Sequence, residues 1–463
     1  MEKTGFSGIE LMKSTNGWWN TVLPSEFELN EVLTDTRKDC SGALFLALRG
    51  ENFDAHDFLD AAVTAGAAAL CIEKTFADRI KADWDIPVLL VDNTLAAYQA
   101  IANSYKKRFK NLRSVAITGS MGKTSCKEMI RSILIAAAGK DAVCATENNT
   151  NNQVGVPQNL LNLNSKHRFC VLEMGSNHFG EIEPLSRTLE PDIALINSIA
   201  PCHLEAFGNL RGVAREKSKI FAALKADGIA VIPADCPEID YLLEQTGKFK
   251  TMRFGADVEV IYHGGNLHGS SIELVFKDLR KRIKFDWPLS GAHQASNAAA
   301  AATVAMSLGI DPDTIARGLQ NCVLPGMRMK VARINDIDWI NDAYNASPES
   351  VAAALRWLKE FVKAENLVLV LGDMLELGEA SSSQHQKVLR QAFDLFPEAA
   401  FVLVGGELER AGRKLDFSGK NCFCKNSKAA KTLLNPFLKA GKTVLLKGSR
   451  GMKLEKLWPD ENN

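Results

Sequence analysis

Residues 118–125 read Thr118, Gly119, Ser120, Met121, Gly122, Lys123, Thr124 and Ser125, the residue types that hold a phosphate chain. Glycines let backbone amides approach an anion, and the first N–H groups of a following helix point at it. Lys123 would reach the terminal phosphates, and the Thr124 hydroxyl would ligate Mg²⁺. The spacing is tighter than the general phosphate loop, because Ile117 stands where that pattern has its first glycine. A plain glycine turn between strand and helix is the simpler alternative. Three further groups invite chemistry. Glu173 directly follows the apolar run 169–172, where an acid can hold Mg²⁺. His203 follows the run 191–196 and could ligate metal or merely hydrogen-bond. Lys217 shares a helical stripe with Val213, Ile220 and Leu224, whereas Lys219 projects elsewhere. A lysine in an apolar stripe either snorkels to solvent or, if buried, loses its charge more readily.

The elements that must position these groups can be read from the same runs. Residues 115–117 form a buried strand, and a helical pattern continues from Lys123 through residue 134. In a parallel sheet, ligands sit beyond the carboxyl ends of the strands, so the phosphate loop, Glu173 and His203 would gather on one edge. The fold expected is α/β in three domains: a central P-loop-type parallel-sheet domain between a small α/β domain and a C-terminal Rossmann-like doubly wound domain. Boundaries fall at 1–110, 111–322 and 323–463. In the first unit the notable loops are 35–38 and 50–57. Asp and Asn there could cap helices, and Arg37 could equally grip a diphosphate. Residues 251–290 look like β-rich elaboration before an alanine-rich helix that starts near Gly291. His293 and Asn297 at its start are able to read a base edge. The third unit presents Arg328 on a turn, and its apolar strands 338–342, 367–371, 401–404 and 443–446 alternate with helices.

Composition narrows the function classes. The 55 basic residues balance 55 acidic ones, so no global field recruits nucleic acid or an anionic membrane. Hydrophobic residues make up 46% of the 463, yet no run of 18 apolar residues occurs, which argues against membrane insertion. The N-terminus lacks an apolar leader, and ten scattered cysteines form no framework. Free thiols in a reducing cytoplasm are expected.

Taken together in this order, the motifs resemble the Mur ligases of bacterial cell-wall synthesis, from about Asp35 to Lys453. The short loop 118–124 is similar to the phosphate loop of Mur ligases and folylpolyglutamate synthetases. The resemblance implies an ATP-dependent amide ligase that adds D-alanyl-D-alanine to UDP-N-acetylmuramoyl-tripeptide through an acyl phosphate. It implies two Mg²⁺ sites, with Thr124 and Glu173 at one and His203 with a CO₂-derived carbamate on Lys217 at the other. Lys123, Lys217, His203 and Glu173 would be catalytic. ATP would meet the loop 118–125, His293, Asn297, Arg328 and Asp342. Thr36, Arg37, Asn52, Phe53, Asp54, His56, Asn151 and Asn152 would face the UDP substrate. Tyr344, Asn345, Lys447 and Arg450 would border the incoming dipeptide. Gln294, Ser347 and Lys219 depart from the residues usual in the family. Family analogy points to a cytoplasmic monomer. The rival readings are another Mur-type or folylpolyglutamate-type ligase, or a P-loop NTPase switch. The Asp-Asn-Pro-Arg motif expected of the diaminopimelate ligase is absent. A switch would have no use for a strand-end His beside a buried Lys.

Overall fold

The computed structural model describes residues 5–50, 53–415 and 421–459. Asn52 and the C-terminal residues 460–463, expected to fray, lie outside the described residues. Three large sheets carry the chain. The first has five strands in the order Trp18–Trp19, Val88–Val91, Ala69–Glu73, Leu44–Leu46, Val32–Leu33. All but the Trp18–Trp19 edge pair in parallel.

The second sheet has nine strands, ordered Lys281–Trp287, Gly269–Phe276, Val258–Asn266, Lys250–Phe254, Ile229–Pro233, Ile193–Ile196, Arg113–Thr118, Phe169–Glu173, Val143–Ala145. Its registry decides where chemistry can happen. Glu173 pairs with Ile117, and Ile196 pairs with Thr118. Three strand ends therefore finish level, with the phosphate loop between an acid on one side and the loop 197–203 on the other. The β-rich stretch expected over 251–290 includes Gly269–Phe276 and Lys281–Trp287. Three strands before these continue the sheet: Ile229–Pro233, Lys250–Phe254 and Val258–Asn266. The last two carry intermediate burial and mixed charge, so they give no continuous apolar run to read.

The third sheet has six strands, ordered Lys330–Ile334, Ile337–Asn341, Thr443–Lys447, Leu367–Gly372, Ala400–Val404, Asn421–Cys424. Only Lys330–Ile334 runs antiparallel to its neighbour. Helices cover both faces, as a doubly wound sheet requires.

The cores do not follow the sheets one to one. Leu11, Leu44, Leu89 and Ile101 of the first unit belong to one continuous apolar cluster with Val156, Leu172, Ile196 and Ile220. The first unit is thus welded to one face of the nine-stranded sheet. Polar contacts reinforce the seam: Asn103 Nδ2 donates to the carbonyls of Arg187 and Thr188, and Tyr105 Oη to that of Leu163. The other face is covered by the helices Lys123–Ala138 and Ala292–Ser307. Alanines 298–302 are buried there, and their small side chains let the second helix lie close. The six-stranded sheet keeps two cores of its own.

Candidate active site

The phosphate loop is built as the residue types require. Strand Arg113–Thr118 ends, residues 119–122 turn, and helix Lys123–Ala138 begins. Gly122 has φ +75°, in the left-handed region that glycine tolerates. A methyl group on Gly119 would stand 1.9 Å from Asn197 Oδ1, and one on Gly122 would stand 2.6 Å from Asn297 Oδ1. Asn197 Nδ2 donates to the Met121 carbonyl at 2.6 Å, and the Met121 N–H donates to Ser198 Oγ at 2.9 Å. Ser120 Oγ donates to the Ala200 carbonyl at 2.8 Å. The loop after strand Ile193–Ile196 thus braces the phosphate loop along its length. No local pattern in the sequence marks Asn197 for this role; only strand order brings it there.

Lys123 Nζ donates to the Gly119 carbonyl at 2.6 Å, folded back over the loop. Burial lowers its pKa. Thr118 Oγ1 is tied to the Met174 carbonyl, and Thr124 Oγ1 donates to Glu173 Oε2 at 3.0 Å. The second oxygen of Glu173 is buried and accepts no hydrogen bond, although Lys127 Nζ lies 3.9 Å from it. A buried carboxylate oxygen left open beside a phosphate loop fits a divalent cation. Among the described residues no three His, Cys, Asp or Glu side chains cluster as a cage. Mg²⁺ suits such a sparse site, because it keeps waters and relies on one or two carboxylates with substrate phosphates.

Helix Leu210–Lys217 buries Val213 and Lys217 on one face; the chain then tightens into the 3₁₀ segment Ser218–Ala223, so Ile220 and Leu224 are buried without extending the α-helical stripe expected from spacing. Lys217 is 1% exposed. Its Nζ donates to Ser176 Oγ at 2.7 Å and lies over the Phe207 ring. Burial, then the charge of Lys123, brings its pKa down to about 7. His203 sits nearby in the left-handed region at φ +46°. Burial and the two lysines push its pKa down to about 4, which keeps the imidazole neutral and able to ligate. A neutral His fits a cation, but a bare ammonium at Lys217 does not; a second cation here needs Lys217 to carry an anionic group. Lys219 is exposed and pairs with Glu183 at 3.4 Å, away from this cluster. Glu216, which sequence reading passed over, is buried and accepts the N–H groups of Gly180, Glu181 and Ile182. It fixes the loop that carries Ser176.

The six-stranded unit faces the same edge. His203 Nδ1 lies 3.3 Å from Glu376 Oε2, and Ser347 Oγ contacts Met121 Sδ. Asp342 accepts from Lys447 Nζ at 2.5 Å and from the Met329 N–H at 3.2 Å. Lys447 is buried, so its ammonium holds Asp342 and the Asn345 carbonyl rather than standing open. Arg328 stacks on the Tyr344 ring at 3.8 Å. Arg450 is exposed, touching Met327 and Glu455. His293 is held neutral by burial, its pKa brought down to about 4. Asn297 Nδ2 donates to Gln294 Oε1 at 3.2 Å, so the departing residue Gln294 holds Asn297 in place. Ser347 closes a capping box at the start of helix Pro348–Phe361, which accounts for a serine there.

On the first unit the expected substrate residues divide. Arg37 is 89% exposed and forks onto Asp35, whose carboxyl is drawn down to about 2 by those hydrogen bonds. Thr36 is partly exposed beside it. Phe53 is 57% exposed and stacks on Phe58. His56 is engaged within the loop: its Nδ1 meets Asp54 at 2.6 Å, its Nε2 accepts the Glu73 N–H at 3.1 Å, and Phe76 covers its face. Both ring nitrogens are occupied, so His56 fixes the loop. Asp54 likewise caps that short helix. Asn152 Oδ1 accepts the N–H of Gly155 at 2.9 Å, in the turn before the next helix. The Asn151 carbonyl accepts from Gly175 N–H, which puts Asn151 next to the strand end of Glu173.

The chain matches the Mur ligase middle domain over residues 117–305 and the Mur ligase glutamate ligase domain over 327–450. It is 36% identical over 438 residues to the UDP-N-acetylmuramoyl-tripeptide–D-alanyl-D-alanine ligase of Haemophilus influenzae, covering 92% of each chain. It is 38% identical over 370 residues to the Escherichia coli ligase of the same name, covering 79% of each. The crystal structure of MurF from Acinetobacter baumannii superposes with a TM-score of 0.90 at 30% identity, covering 99% of this chain and 98% of that one. MurF from Thermotoga maritima in complex with ADP gives a TM-score of 0.80 at 25% identity, covering 92% and 96%. A Mycobacterium tuberculosis folylpolyglutamate synthase shares the fold alone, with a TM-score of 0.64 at 18% identity.

Proposed function

Since the chain belongs to the Mur ligase family, we propose that it is an ATP-dependent ligase joining D-alanyl-D-alanine to UDP-N-acetylmuramoyl-tripeptide. The observation that carries this reading is one edge holding a phosphate loop, an open carboxylate oxygen on Glu173 and a buried Lys217 bonded to Ser176. Relatives aligned over nearly the whole chain supply the substrate identities.

A carboxylate is a poor acyl donor and must be activated. The tripeptide's terminal carboxylate would take the γ-phosphoryl group of ATP, releasing ADP and leaving an acyl phosphate. The dipeptide amine then attacks that carbonyl, phosphate departs, and the amine's proton is lost. Lys123 neutralises charge on the phosphoryl group in flight, an electrostatic contribution that is largest where water is excluded. Mg²⁺ held by Thr124 and Glu173, with a second ion at His203 and carbamylated Lys217, would polarise the phosphoryl oxygens. Arg328 meets phosphate, Asp342 the ribose, and His293 and Asn297 the base. Lys447 acts through Asp342 by fixing its orientation. Thr36, Arg37, Phe53, Asp54, Asn151 and Asn152 face the UDP substrate, and Tyr344, Asn345 and Arg450 face the dipeptide. Residues from two sheets contribute, so approach of the six-stranded unit would complete the site and keep water from the acyl phosphate.

No described helix is long and apolar enough to cross a membrane. The same reading makes the protein a cytoplasmic monomer acting on diffusible substrates. Mass spectrometry tests the product. Incubation with all three substrates should add one dipeptide, less one water, to the UDP precursor. A nucleotide precursor of unchanged mass would reject the proposal.

A further inference from the structure

Lys127 belongs to neither the phosphate loop nor the surface. It lies one helical turn beyond Lys123 and is 3% exposed. Its Nζ donates to the Thr146 carbonyl at 2.9 Å and pairs with Glu128 Oε1 at 2.5 Å. At 3.9 Å it faces Glu173 Oε1, the buried oxygen that accepts no hydrogen bond. Thr146 is also buried, and its Oγ1 accepts the N–H of Glu173 at 2.8 Å. Arg131 pairs with the other oxygen of Glu128 at 3.4 Å. Lys127 and Arg131 thus offset Glu128 and Glu173 beneath the phosphate loop, and Lys123, whose charge also feels Glu173, adds a further cation from the loop itself. At 3.9 Å the ammonium acts on Glu173 through charge alone, leaving the oxygen's lone pairs open.

We infer that Lys127 is a positioning residue that serves as a resident counter-cation for Glu173, so that a divalent metal enters only together with nucleotide phosphate. The inference rests on the reading of Glu173 as a metal ligand. With Lys127 in place, a metal approaching alone meets a site already neutral and an ammonium close by. Phosphates on residues 119–124 add the negative charge that reverses this balance. Removing the ammonium leaves Glu173 with only the Lys123 charge of the loop to offset it, and a unit charge about 4 Å away changes cation affinity by well over tenfold in partly screened surroundings.

Mn²⁺ binding followed by electron paramagnetic resonance, with and without ADP, tests this on the full chain. Wild type should bind Mn²⁺ at least about tenfold more weakly without ADP than with it, given that charge coupling. Lys127→Met should tighten the nucleotide-free affinity at least about tenfold, while Lys127→Arg should match wild type. A Lys127→Met variant that melts earlier yet binds nucleotide-free Mn²⁺ no more tightly would reduce Lys127 to a structural role and overturn the inference. If neither that variant nor Lys127→Gln folds, the wild-type pair decides, and equal affinity in both states overturns it. Glu173→Gln separates the underlying reading: unchanged Mn²⁺ affinity in the presence of ADP would remove Glu173 from the metal site, whatever the Lys127 variants do.

Discussion

Replacing Lys217 with Ala perturbs the most unusual side chain of the site. Its amine is 1% exposed, and burial with the nearby Lys123 charge moves its pKa from 10.5 to about 7. That displacement disfavours the ammonium by about 5 kcal/mol, at 1.36 kcal/mol per pH unit. At pH 7 the neutral fraction rises from about one in 3,000 for a free lysine to about one in two. A neutral amine can take up CO₂, forming an N–C bond and releasing a proton, to become an anionic carbamate. Oxygens of that kind are what Mg²⁺ prefers. Lys217→Ala should therefore nearly abolish ligation, and short-chain carboxylates should restore part of it by supplying the missing oxygens. Lys219→Ala, exposed and paired with Glu183, should stay within about twofold, as surface changes usually do. ADP release measured with and without added formate or acetate reads both effects. Stability gives a second readout for the unmodified amine. The folded protein releases this proton near 7 while the unfolded chain holds it to 10.5, so the unfolded chain binds more protons in between. Stability in CO₂-depleted buffer should rise with pH across that window, and Lys217→Met should flatten the rise. A Lys217→Ala enzyme with near-wild-type turnover would refute the reasoning.

Lys123→Ala should lower kcat by at least about 10²–10³, the loss expected when one preorganised charge stabiliser is removed; single-turnover ADP formation measures it. Gly122→Ala forces a side chain to φ +75° and sets its Cβ 2.6 Å from Asn297 Oδ1, so it should destabilise by about 1–3 kcal/mol and weaken ADP binding in calorimetry. Arg450→Ala should raise the KM for D-alanyl-D-alanine more than that for ATP, because an exposed guanidinium can pair bidentately with the dipeptide carboxylate; a raised ATP KM with unchanged dipeptide KM would move Arg450 to the nucleotide.

Much of the site was legible because it lies at strand ends, where short apolar runs stop abruptly at polar residues. The phosphate loop, Glu173 and His203 could be gathered on one edge without coordinates, since ligands sit beyond the carboxyl ends of parallel strands. The face that Lys217 shares with Val213 was legible from helical spacing. Residues acting across elements were not. Asn197, Lys127 and Glu216 each satisfy a backbone or carboxylate far away in sequence, and no local pattern marks such partners. Nor did the loop around His56 announce its packing, because a polar residue among Asp and Phe reads as exposed, yet its ring stacks on Phe76. The shared core of the first unit and the nine-stranded sheet was equally hidden, because apolar residues announce burial but not the surface that covers them.

ADP release with each substrate omitted in turn tests the central claim most directly. The account predicts release only when ATP and UDP-N-acetylmuramoyl-tripeptide are both present, with sustained turnover requiring D-alanyl-D-alanine as well. Steady ADP release at the full rate without either acceptor would contradict it and make the protein a nucleotide hydrolase instead.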